Sequence, residues 1–154
     1  MELSQTPSVV LVNTNLRIGS HIAKMPSLYK TFSRFITAPH RVYQLYVSNS
    51  RSWQPATLDD LDDAAAARIW LRMNGKWACI HASLLFNLCG STDPVNDKTF
   101  ALKRHNVVNG LRAELDIGVA LDVGAVVHIG SCKDKKRGKR EIALVLKEVL
   151  THRS

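Results

Sequence analysis

The chain reads as an α/β protein with a parallel (β/α)4 arrangement. That is either one half of a (β/α)8 TIM barrel or an open sheet derived from it. Three observations predict this. Four strand-like segments alternate with four helix-like ones, the rhythm of parallel strands joined by right-handed crossovers. The strand segments are near-continuous apolar runs, as expected for strands covered on both faces. Two of these runs, Trp77-Ala-Cys-Ile-His81 and Ala125-Val-Val-His128, each end in a histidine. A parallel sheet binds ligands and metals at that C-terminal edge.

Each element has its own signal. Residues 16–21 (Leu-Arg-Ile-Gly-Ser-His) form the first strand candidate. Leu28, Phe32, Phe35 and Ile36 have helical spacing over 27–36, with Pro26 before them and Pro39 after. Residues 42–47 form the second strand, with Tyr43 and Tyr46 favouring β structure. After the polar loop 48–55, Thr57 is an N-cap with acids in the following turn, and the helix runs to about Met73, stopped by Asn74-Gly75. The third strand is 77–81 and the loop after it runs to about Asn96. A helix over 97–121 presents Val107, Val108, Leu111, Leu115, Val119 and Ala120, and Gly124 breaks it. The fourth strand is 125–129, a basic loop spans 130–138, and a last amphipathic helix runs over 139–150. A flavodoxin-like open sheet remains an alternative to the half-barrel.

A chain of 154 residues is expected to form one domain, an N-terminal arm over 1–15 followed by a domain over 16–154. No apolar run reaches the roughly 18 residues that span a bilayer, and the patch Val9-Val-Leu-Val12 lacks the basic flank of a signal peptide. Membrane partners are therefore not expected. The localisation expected is intracellular: cytoplasmic, or nuclear in a eukaryotic or viral setting. Three cysteines without a CxxC pair fit a reducing compartment, and Cys79 reads as a small core residue. The net charge of +8 favours a polyanionic partner. Lys133, Lys135, Lys136, Arg137, Lys139 and Arg140 concentrate that charge just after His128. They read as a solvated loop and helix start, as phosphate contacts, or as a nuclear localisation signal.

The strand ends line up as a series. They read Ile18-Gly-Ser-His21, then Ser48-Asn-Ser-Arg51-Ser-Trp53, then His81-Ala-Ser-Leu84-Leu85-Phe-Asn87-Leu, then His128-Ile-Gly-Ser131. This series resembles the N-terminal half of the endonuclease IV family of apurinic/apyrimidinic (AP) endonucleases, over about residues 16–150. The corresponding family motifs run I-G-A/S-H-V/I, K/S-N-x-R-x-W, H-x-x-Y-L-x-N-L and H-P/L-G-S. The resemblance implies a barrel that carries a three-zinc cluster and incises DNA 5′ to an abasic site. It places His81 and His128 on zinc-ligand positions. Arg51 falls on the position of an arginine that enters the DNA stack. Leu84 and Leu85 fall on the Tyr-Leu wedge that helps to unstack the duplex, so Leu84 keeps an apolar wedge without the aromatic face. Lys133, Lys135, Lys136 and Arg137 are the accompanying DNA contacts. His21 reads as a residue lining the site rather than a ligand, and His40, His105 and His152 as solvent-exposed.

Two histidines do not complete a catalytic zinc site, which takes three protein ligands. The family's remaining ligands, including a bridging glutamate on the next strand, belong to its C-terminal half. Of the local substitutes, Glu114, Glu141 and Glu148 lie on helices expected to be away from the mouth, while Asp93, Cys132 and Asp134 lie in loops beside it. A His81–His128–Cys132 set is the makeshift option. Half a barrel also leaves two parallel edge strands and an uncovered apolar inner face, which a homo-oligomer or another partner would cover. The leading expectation is a zinc-dependent AP endonuclease acting on DNA with abasic sites, or a portion of one. The main alternative is a non-catalytic nucleic-acid-binding or structural half-barrel. A sugar-isomerase-like metal barrel fits the layout, but the basic charge and the Asn49–Trp53 loop speak against it.

Overall fold

The computed structural model describes residues 19–51, 53–54, 57–90 and 97–151. The N-terminal arm, the first part of the expected first strand, Asp93 and His152 lie outside them. The elements alternate β1 Gly19–His21, α1 Leu28–Ser33, β2 Val42–Leu45, α2 Leu58–Met73, β3 Trp77–His81, α3 Phe100–Leu121, β4 Ala125–Val126 and α4 Lys135–Thr151. The four strands form one parallel sheet in the sequential order β1-β2-β3-β4. A flavodoxin-like sheet would reverse direction at its first strand. The sequential order removes that alternative, and right-handed crossovers then put every helix on the same face of the sheet. Neighbouring helices accordingly pack pairwise, α1 on α2, α2 on α3 and α3 on α4.

Strand alternation separates two faces. Tyr43, Leu45 and Ile80 turn toward the helices and are fully buried with Leu28, Phe32, Ile117 and Leu121. Each such large apolar side chain contributes about 1.5–3 kcal/mol of burial. A second cluster, with Phe86, Leu88, Val108, Leu111, Val145 and Val149, fills the space between α3, α4 and the loop after β3. The opposite face carries Gln44, Trp77, Cys79, His81 and Val126, in register His21–Gln44–Cys79 and His81–Val126. It is mixed rather than the apolar inner face expected of half a barrel: Trp77 and Val126 are exposed there beside polar and imidazole groups.

Caps explain most helix boundaries. Ser27 accepts a hydrogen bond from Lys30 N at 3.1 Å, and the Asp63 carboxylate of α2 accepts from Ser27 Oγ at 2.7 Å and from the Leu28 and Tyr29 backbone N–H groups. A carboxylate there meets both the unpaired amides and the positive end of α1. At α2, Thr57 N and Oγ1 both donate to Asp60, and Gly75 closes the other end at φ 58°.

Several boundaries differ from the sequence reading. The fourth strand, expected over 125–129, is paired only over Ala125–Val126, because β3 offers partners only to those two residues. Helix α3 stops at Asp122, which is left-handed at φ 60°, rather than at Gly124. Its buried stripe is Val107, Val108, Leu111, Glu114, Ile117 and Leu121, leaving Val119 63% exposed. Helix α4 begins at Lys135, four residues before expectation, because Asp134 accepts the Arg137 and Gly138 backbone N–H groups at 3.0 and 2.9 Å. The cap outweighs the poor helix propensity of Gly138.

Candidate functional site

Four aromatic or imidazole rings cross the C-terminal edge of the sheet, one from the end of each strand. His21 and Tyr46 stand 4.9 Å apart between ring centroids, Tyr46 and His81 4.8 Å, and His81 and His128 5.0 Å. Period-2 alternation sends these side chains to the inner face, and parallel register brings them to one level. His21 Nδ1 also lies 3.3 Å from Gln44 Oε1. Tyr46 supported only a strand in the sequence. Its place between His21 and His81 follows from its even spacing with Gln44.

His81 and His128 meet directly, with their Nε2 atoms 3.2 Å apart. The other nitrogen of His81, Nδ1, donates to the Ala82 carbonyl at 2.9 Å. That hydrogen bond fixes the tautomer and leaves the His81 Nε2 lone pair facing His128. Two nitrogens on one tetrahedral zinc, each about 2.0–2.1 Å from it, stand roughly 3.3 Å apart. The pair therefore has the spacing and donor chemistry of two ligands on one ion. Among the described residues no third His, Cys, Asp or Glu joins them. The makeshift His81–His128–Cys132 set is not assembled: the Cys132 thiol donates to Asp134 O at 2.8 Å instead. Glu141 and Glu148 are held by Arg104 at 3.8 and 2.6 Å.

Glu114 corrects the expectation that it lies away from the mouth. It is 2% exposed and reaches from α3 to the loops leaving β2 and β3, accepting from Ser48 Oγ and, at 3.1 Å, from Ser83 N. Burial holds its carboxyl above the ordinary range, opposed by those two hydrogen bonds and by nearby His81. The signal was present in the sequence, since Glu114 sits at helical spacing from Leu111 and Val107 on the buried stripe. Replacing Glu114 with alanine leaves the Ser83 N–H buried without a partner, an expected loss of about 1–3 kcal/mol in urea unfolding. The raised folded-state value means that folding favours the protonated form. That contribution is complete below the unfolded value near 4.3 and is lost as pH rises through the folded one. Wild type should therefore gain stability relative to Glu114→Gln as pH falls from 7. A gap that moves the other way would exclude this account.

Arg51 is exposed in the turn after β2, its backbone N–H bonded to Asn49 Oδ1 at 3.0 Å. Ser83 Oγ donates to Ser50 O at 3.1 Å, so the loops bearing Arg51 and Leu84 are tied together. Leu84 is 53% exposed, whereas Leu85 is half-buried and lines a cavity of about 360 Å³ with Trp53, Phe100 and Val107. Leu84 is thus open to solvent, while Leu85 turns toward the cavity. On the next loop, Lys133, Lys135 and Lys136 are exposed, while Arg137 is half-buried with its guanidinium toward Gly90 O at 3.4 Å. Lys135, Lys136 and Arg137 stand in the first turn of α4, where the helix dipole adds to their positive field. Lys24, from the loop after β1, donates to Val47 O and pairs with Asp60 at 2.7 and 3.1 Å, bracing the β1 side of the mouth. Among the described residues no helix is long and apolar enough to cross a membrane.

No protein-family model and no curated protein matches this chain. Solved structures do. Endonuclease IV from Thermus thermophilus superposes with a TM-score of 0.64 at 24% identity, covering 87% of this chain and 47% of that one. The AsfvAP:AG structure superposes with a TM-score of 0.53 at 16% identity, covering 85% and 43%. The chain spans about half the length of these neighbours. At such identities the likeness is one of architecture: this chain has the fold of a partial TIM barrel, similar to about half of an endonuclease IV.

Proposed function

We propose that this chain provides the zinc- and DNA-binding part of an AP-endonuclease-type centre, cleaving phosphodiesters 5′ to abasic sites once further metal ligands complete it. The observation that carries this reading is the 3.2 Å approach of His81 and His128 Nε2 at the C-terminal edge of an endonuclease IV-like half-barrel. His81 and His128 would hold one zinc, which when bound supplies a Lewis acid for phosphoryl transfer. The chain's own residues do the rest of the binding. The Ala82 carbonyl orients His81, Leu84 presses apolar surface against a base step, Arg51 occupies the gap where a base is missing, and Lys133, Lys135 and Lys136 contact phosphates.

The test is a binding titration with two duplexes, one carrying a single tetrahydrofuran abasic analogue and one intact, with and without zinc. The expected result is tighter binding of the abasic duplex, with Arg51→Ala removing that preference and leaving the intact duplex unaffected. Equal affinity for both duplexes would replace this reading with the simpler one of a basic half-barrel that binds nucleic acid without damage recognition. No binding to either duplex at low salt would overturn both.

A further inference from the structure

A second chemical feature lies beside this edge and does not depend on the metal or DNA reading. The loop leaving β3 lies flush against the turn leaving β4: Cys89 N and Cys89 Sγ both donate to Ile129 O at 3.1 and 2.9 Å, and Asn87 Nδ2 donates to Ser131 O at 3.2 Å. This pairing brings Cys89 and Cys132 together as neighbouring free thiols. Both converge on Gly138 in the first turn of α4, where a Cβ would collide with Cys132 Sγ and sit 3.2 Å from Cys89 Cβ. Glycine is a poor helix residue, and here its bare Cα is what leaves room for the two cysteine side chains. Cys89 is buried at 4% exposure, Cys132 is partly open to solvent, and Cys79 lies apart on β3 opposite Gln44.

We propose that Cys89 and Cys132 are a peroxide-oxidisable pair whose reversible disulfide staples the β3–α3 loop to the turn that leads into the basic helix. Cys132, the more accessible sulfur, attacks hydrogen peroxide as its thiolate. The O–O bond breaks, and the departing hydroxide takes the thiol's proton as water, leaving a sulfenic acid. The Cys89 sulfur then attacks the Cys132 sulfur, the S–O bond breaks, and the second hydroxide leaves as water with the Cys89 proton. Two thiols are oxidised to one disulfide and one peroxide is reduced to two waters. Burial, and next the neighbouring Cys132, push the Cys89 thiol upward, which suits it to the resolving role rather than the first attack.

The intact reduced chain should be treated with a few equivalents of hydrogen peroxide, quenched with iodoacetamide and mapped by mass spectrometry without reductant. The expected product is a monomer lighter by two hydrogens, with a Cys89–Cys132 linked peptide, an alkylated Cys79 and full reversal by dithiothreitol. Its melting temperature should rise on the order of 10 °C, since the bond closes a long loop. Cys79→Ser should behave as wild type. Cys89→Ser should instead accumulate a Cys132 sulfenic acid trapped by dimedone. Persistence of all three thiols, a link through Cys79 or between molecules, or over-oxidation of Cys132 while Cys89 stays reduced would overturn the proposal.

Discussion

His81→Ala is expected to weaken zinc binding by about 100-fold or more, and His128→Ala by a similar factor. The two Nε2 atoms stand 3.2 Å apart, a separation matching two ligands of one ion. Removing either leaves a single imidazole, which cannot chelate. Because both act on one ion, the double substitution should cost little beyond either single one, as strongly coupled neighbours do. Calorimetric titration, or competition with a chromophoric chelator, measures the loss, with circular dichroism to establish that the variants fold. His105→Ala is the control, since His105 is exposed on α3 and bonded to Asn109 at 2.7 Å. Zinc affinity that survives both His81→Ala and His128→Ala would place the metal elsewhere and remove the main support for the proposed function.

The combined variant Lys133→Ala/Lys135→Ala/Lys136→Ala should flatten the salt dependence of duplex binding. Each phosphate contact contributes about 0.9 to the slope of log affinity against log salt, so losing three should make it shallower by roughly 2 to 3. Between 50 and 200 mM salt, wild type would then lose about 40-fold more affinity than the variant. These side chains are exposed, and two of them stand in the first turn of α4, so their removal relieves repulsion from the helix dipole and should not harm folding. The loss should be equal for abasic and intact duplexes, because phosphate contacts position the duplex without reading it. An unchanged slope would mean that the basic cluster is merely a solvated surface.

Much of the architecture was legible in the chain. Apolar runs of four to six residues alternating with 3.6-period stretches specify strands and helices by local physics alone, and Thr57 and Gly75 mark helix ends by their own hydrogen bonding or backbone freedom. The α4 boundary was missed because Gly138 reads as a breaker until Asp134 is seen capping the turn before it. The break assigned to Gly124 falls instead at Asp122, whose left-handed backbone closes the helix while its carboxylate meets Arg72.

The site divides in the same way. The amino-acid sequence by itself determined that His81 and His128 close two apolar runs, and that positive charge follows the second of them. Only the tertiary structure decided that their Nε2 atoms meet, that His21 and Tyr46 extend the row, that Glu114 reaches under the mouth, and that Cys89 finds Cys132. The reason is geometric. Periodicity along the chain sets which way a side chain points from its own element. Which side chains share a point in space depends on strand order, on register and on how the loops pair, and those are settled by contacts between residues far apart in the chain.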